Sequence, residues 1–238
     1  MKYYTELFNN YYKKFDDSEY WIKYKYDHTY RVVEYTKKIA QSLNLSKEDI
    51  ELSQLCGLFH DISRYKQYTE YKTFTDSKSF DHGDMGYTIL KELGIDNDII
   101  LISTKIHNKY QVDESLDDRT KLFCNITRDA DKLDILFETG NNDMDEVLYL
   151  PDEVMESYKN HKMVPNKVVI NDTVSILRTL AFIFDLKFKE SFEIVKKSNI
   201  VNIKFEKILS KFDDNKIKKL KDILDKYIDE RIGNNVRC

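Results

Sequence analysis

Residues 28–61 read HTYRVVEYTKKIAQSLNLSKEDIELSQLCGLFHD, and their pattern decides the fold. Apolar side chains fall at Val32, Tyr35, Ile39 and Leu43, a spacing of three to four that gathers them on one side of a helix. A second run follows at Ile50, Leu55 and Phe59. Between the two, Ser46 with Asp49 three positions on marks a helix start, the serine as N-cap and an acid in the first turn. Two helices joined by a short capped turn are expected here.

The same reading extends outward. Gly94 suits the left-handed position after a helix and Asp96 caps the next one, which runs to about His107. A long helix is expected from Asp118 to Glu138, stopping at Gly140-Asn141-Asn142. Pro151 and Pro165 follow, which places a lobe boundary near 140–165. Beyond it, Thr173 to Leu186, Phe188 to Lys196, Val201 to Phe212 and Asn215 to Ile232 have helical periodicity. Segment 65–82 is polar, lacks a clear period and reads as a long loop.

Composition agrees. Six glycines and two prolines in 238 residues are far below the roughly 12% of average usage, too few for the turns of a sandwich or barrel. The fold class is therefore all-α, with a core-forming domain at 1–142 and a C-terminal helical lobe at 143–238 that completes the same globular unit. A net charge of −4 argues against binding nucleic acid by bulk charge. The most apolar stretch, Thr179 to Phe184, is far short of the roughly 20 residues that span a bilayer. Cys56, Cys124 and Cys238 show no CxxC spacing and read as reduced thiols. With no apolar signal core at the N-terminus, the expected location is cytoplasmic.

Chemistry rests on the histidines, of which there are five. His28 is expected to open a helix, His60-Asp61 to close the next, His82 to follow the polar segment and His107 to end a further helix. Arg128-Asp129-Ala130-Asp131-Lys132-Leu133-Asp134 supplies carboxylates on the long helix. A His-Asp dipeptide alone means little; the ordered set means more. Imidazoles and carboxylates are ligands of divalent transition metals, and helical bundles build such sites from facing helices. Four histidines and two aspartates suffice for two ions, with the aspartate after His60 able to offer one oxygen to each. A helical wheel puts Asp129 nearer the Leu122, Ile126, Leu133 stripe than Asp131, so spacing leaves both open. His161, between the prolines, has no place in the pattern and reads as a surface residue.

The order His28…His60-Asp61…Asp131 resembles the H…HD…D signature of the HD-domain superfamily of metal-dependent phosphohydrolases, and His82 and His107 match its six-ligand, two-metal branch. Leu58-Phe59-His60-Asp61-Ile62-Ser63-Arg64-Tyr65 is similar to the L-[LF]-H-D-I-G-[RK]-[FY] run of that family. Thr73-Phe74-Thr75-Asp76…Asp81-His82 is similar to a G-T-F-x-D…x-H run in a bacterial subgroup, and Ala130-Asp131-Lys132-Leu133-Asp134 is similar to the A-D-x-[LF]-D end of the family's motif. Ser63 departs from the usual Gly, and Gly83 follows His82 where Ala is common.

The resemblance implies an HD-type helical core with the C-terminal helices packed on it. It selects Asp131 as last ligand and leaves Asp129 and Asp134 to orient ligands. It implies that His28, His60, Asp61, His82, His107 and Asp131 hold two divalent transition metals, Fe or Mn ahead of Zn, Ni, Co or Mg, bridged by Asp61. A metal-bound hydroxide would then attack a small phosphorylated substrate, a nucleotide or dinucleotide first among them, with Arg64 and Lys132 stabilising the developing charge. Arg31 is a weaker phosphate-binding candidate, equally suited to pairing with a carboxylate. Di-iron oxygenase chemistry and a non-catalytic nucleotide-binding module are the alternatives that the same ligands permit. Gly57, Gly83 and Gly86 flank His60 and His82, where a missing side chain allows close packing.

Overall fold

The structure is a computed structural model, and it describes residues 1–138 and 148–233. Every regular element among the described residues is a helix, and none is a strand. They divide into two compact units, Met1–Asp134 and Ile135–Cys238.

In the first unit, α1 (Lys2–Tyr12) is followed by α2 (Tyr20–Ser42), α3 (Lys47–Phe59), α4 (Arg64–Tyr71), α5 (His82–Glu92), α6 (Asp98–Ile106) and α7 (Asp118–Phe137), whose last turn enters the second unit. The Ser46 cap is present, its side chain accepting from the Asp49 amide at 3.1 Å. The helix α2 packs along α3, and α5 along α6. Phe8, Ile22, Phe59, Ile62 and Tyr65 bury between them, with Phe8 touching the rings of Tyr26, Tyr30, Phe59 and Tyr65.

Three expectations need correction. His28 does not open its helix, because α2 starts two turns earlier, where Ile22 is buried and Tyr26 stacks on Phe8. Segment 65–82 is not one loop. It holds α4 and a 3₁₀ turn at Asp76–Lys78, and the buried face of α4 is made of Tyr65 and Gln67, too polar for an apolar period to register. The cap of α6 is Asn97, whose side chain accepts from the Ile100 amide at 3.1 Å, and not Asp96.

Two glycines set the α5–α6 approach. A Cβ on Gly83 would lie 2.4 Å from the Lys105 carbonyl and 2.5 Å from Asn108 Oδ1, and one on Gly86 would lie 2.7 Å from Thr104 Cγ2. Gly94, after α5, has φ of +77°, the left-handed position that its place in the sequence predicts.

The second unit holds α8 (Asp152–Lys159), α9 (Asp172–Leu180), a 3₁₀ turn at Ala181–Asp185, α10 (Lys189–Ser198), α11 (Ile200–Leu209) and α12 (Asn215–Gly233). The last of these packs on α8, α10 and α11 through Ile217, Leu220, Leu224 and Ile228 while its lysines stay outside. His161 is exposed, as expected, and its ring lies against Phe184 and Tyr227. Cys56 and Cys124 are buried and unbridged; Gly140-Asn141-Asn142 and Cys238 lie outside the described residues. No described helix is long and apolar enough to cross a membrane.

Candidate metal centre

Five helices of the first unit bring six side chains to one place. His28 stands in the middle of α2, His60 caps the end of α3 with Asp61 directly after it, His82 begins α5, His107 caps the end of α6, and Asp131 lies in α7. The four histidines and Asp61 are all buried.

The arrangement is two groups sharing one carboxylate. His28 Nε2 and His60 Nε2 are 3.2 Å apart, and Asp131 Oδ1 lies 3.3 and 3.6 Å from them. His82 Nε2 and His107 Nε2 are 3.1 Å apart. Asp61 stands between: Oδ2 is 3.5 and 3.6 Å from the first pair, and Oδ1 is 3.6 and 3.3 Å from the second. His28, His60 and Asp131, and separately Asp61, His82 and His107, have the spacing of ligands around an ion. Of the two rival aspartates it is Asp131 whose carboxylate faces His28 and His60; Asp129 is buried.

Proton positions test whether the donors fit a cation. His60 Nδ1 donates to the Gly57 carbonyl at 2.7 Å and His107 Nδ1 to the Thr104 carbonyl at 2.8 Å. A carbonyl only accepts, so both rings carry their proton on Nδ1 and present a lone pair from Nε2. His28 Nδ1 and His82 Nδ1 face Asp134 Oδ2 at 2.7 Å and Asp76 Oδ2 at 2.6 Å, which orients these rings the same way. All four Nε2 atoms therefore converge. Nitrogen atoms facing each other at 3.1 and 3.2 Å need a proton or a cation to offset the repulsion of their lone pairs, and imidazole lone pairs gathered in this way suit divalent metal ions.

Electrostatics point the same way. Burial and Lys25 push the pKa of His28 down, but the carboxylates of Asp131, Asp134 and Asp61 outweigh them and hold it at about 9. A metal ion against Nε2 would take the place of that proton. Burial dominates at His107 and lowers it to about 4, leaving a neutral ring ready to ligate. Burial opposes the charge on Asp61, yet Lys25, His60 and Arg64 keep it well below the usual carboxylate range.

The second layer is dense. Asp134 also takes a two-pronged contact from Arg31, Nε at 2.7 Å and Nη2 at 3.0 Å, so Arg31 braces a carboxylate. Asp76 accepts from His82, Arg64, Gln67 and Asn108. Arg64 reaches Asp61 Oδ1 through Nε at 3.3 Å, while its Nη1 bonds Gln67, the Phe74 carbonyl and Asp76. Lys132 is buried in α7 beside Asp131. Ser63 donates to the His82 carbonyl at 2.6 Å, which a glycine there would not do.

Sequence reasoning missed three of these residues. Lys25 places Nζ 2.7 Å from Asp61 Oδ2, and its signal was its place one turn before His28 on α2. Asp76 was quoted within its run but given no task. Arg128, buried in α7, donates to the carbonyls of His107, Lys109 and Tyr110 and closes the end of α6 behind His107.

The family model described as the HD domain matches residues 26–136. An uncharacterized protein of Methanocaldococcus jannaschii is 28% identical over 162 residues, covering 63% of this chain and 88% of that protein. No solved structure matches the chain significantly.

Proposed function

We propose, from the premise that residues 26–136 are an HD domain, that this chain is a metal-dependent phosphohydrolase acting on a small phosphorylated substrate, with nucleotides and dinucleotides the first class to test. The observation that carries the reading is Asp61, whose two oxygens each face a different histidine pair. Two divalent ions held by His28, His60 and Asp131 on one side and His82 and His107 on the other, with Asp61 between, would polarise a phosphoryl oxygen and acidify a shared water.

The chain's own residues supply the rest. Asp134 and Asp76 fix the rings of His28 and His82, and the Gly57 and Thr104 carbonyls fix those of His60 and His107. Lys25 and Arg64 bracket Asp61, one on each oxygen. Once Asp61 serves as a ligand, both cations are in position to meet the charge that develops on phosphate oxygens. Arg64 brings a planar fork and Lys25 a mobile ammonium. Lys132, next to Asp131, is a third such group.

Metal analysis of protein purified without chelator, combined with a panel of nucleotides, dinucleoside polyphosphates, cyclic dinucleotides and simple phosphate esters assayed with Mn or Fe, tests the reading. Two ions per chain and phosphate release that Asp61→Ala abolishes are expected. Release that survives Asp61→Ala, or a chain that takes up no transition metal, overturns it.

A further inference from the structure

Beside the histidines, the first two turns of α2 carry a row of aromatic rings that the chemistry above does not use. Tyr24 lies parallel to the His28 ring, with centroids 6.5 Å apart and planes 8° from parallel. Trp21 meets Tyr24 edge-on at 5.4 Å and Phe74 edge-on at 6.1 Å. Phe74, in turn, has the Lys25 ammonium 5.4 Å and the Arg64 guanidinium 5.6 Å from its ring centre. These are the two cations that touch Asp61.

Two independent contact routes thus join Trp21 to the metal centre, one through Tyr24 to His28 and one through Phe74 and Lys25 to Asp61. Trp21 is nevertheless 43% exposed. Tyr20 also meets Trp21 at a steep angle, 5.0 Å away, so three rings flank an indole that still has nearly half of its surface in water, which makes it a platform held in place by its neighbours. A flat π-face of this kind takes another flat ring.

We propose that Trp21 is a specificity-determining residue, stacking a planar aromatic ring of the substrate while its phosphate sits between Lys25 and Arg64 at the metal centre. The inference rests on the phosphohydrolase reading and narrows it from phosphate esters at large to those that carry an aromatic ring within a pentose's reach of the phosphate, as nucleotides do. Tyr20, Tyr24 and Phe74 flank the indole at steep angles. The exposed part of the ring is open to a partner from solution.

The chain has a single tryptophan, so its emission reports on Trp21 alone. Protein loaded with zinc, which does not quench indole emission, is titrated with adenosine 5′-monophosphate, ribose 5-phosphate and orthophosphate, with equilibrium dialysis in parallel. The nucleotide is expected to quench Trp21 and to bind about tenfold tighter than ribose 5-phosphate, the step that stacking on one ring supplies. Trp21→Ala should remove that margin while zinc content and orthophosphate affinity stay as in the wild type, and Trp21→Phe should restore part of it. Equal affinities for the nucleotide and ribose 5-phosphate in the wild type, or a margin unchanged in Trp21→Ala, overturn the stacking role and leave the phosphohydrolase reading standing. If none of the three ligands binds, orthophosphate included, both fall.

Discussion

The Lys25 ammonium stands 2.7 Å from Asp61 Oδ2, and neither side chain is more than 12% exposed. Removing one partner of a buried ion pair leaves the other charged and desolvated, at a cost of about 3 kcal/mol where a second cation, here Arg64, remains. Lys25→Met is therefore expected to lower the melting temperature of chelator-treated protein by several degrees. With metal bound, Asp61 has other counter-charges and the penalty should shrink. Thermal unfolding with and without chelator reads the difference; an equal loss in both would mean that Lys25 does not balance Asp61.

Asp134 accepts from both His28 and Arg31, and its worth lies in orientation. Asp134→Ala is expected to weaken metal binding at the His28–His60 side by about 10- to 100-fold. Competition against a chromogenic chelator measures it. Arg31→Ala should have a smaller effect of the same kind, since it removes the brace and keeps the acceptor.

Gly83 admits no side chain. The atom nearest a new Cβ is the Lys105 backbone carbonyl, which can yield only if α5 and α6 part. Gly83→Ala is expected to cost about 3 kcal/mol, the upper range for overpacking. Because His82 begins α5 and His107 ends α6, the ion on that side should be lost first. Metal stoichiometry falling from two toward one in a still-folded variant is the expected result; retention of both ions would show that the helices tolerate the separation.

Burial pushes the thiols of Cys56 and Cys124 up to about 12 and about 11. For Cys56 this is about three units above the ordinary value near 9, so the folded chain holds about a thousandfold less thiolate at pH 8. Both should resist iodoacetamide in native protein and react in denaturant, as peptide mass spectrometry would map. The sign of the linked pH effect follows. An acid whose folded pKa is raised contributes stability that is complete below the unfolded value and lost as pH climbs toward the folded one, so these thiols predict declining stability from about pH 9 upward. Denaturant midpoints measured between pH 8 and pH 11 check it.

The cluster of histidines and aspartates was legible because its residues are rare types in a fixed order. Five histidines leave little room for coincidence, and four of them converge in space. The helices were legible wherever burial falls on aliphatic residues, as along α3. It failed at α4, where a tyrosine and a glutamine do the burying, and at the start of α2, where the buried face begins before the regular period does. Lys25 escaped because lysine is usually a solvated residue, and only the fold shows that this one meets a buried carboxylate. The choice between Asp129 and Asp131 could not come from a helical wheel, since both faces of α7 meet protein.

The ligands come from α2, the ends of α3 and α6, the start of α5 and the body of α7, so the cage spans residues 28 to 131 of the chain. No fragment shorter than that span contains it, and no pair of neighbouring helices forms it. Ions held there would act as clasps across the most distant parts of the first unit, closing long loops that are costly to close otherwise. If ions occupy the cage, metal supply would bear on how long the folded chain survives, and a shortage of metal would register as a shorter protein lifetime.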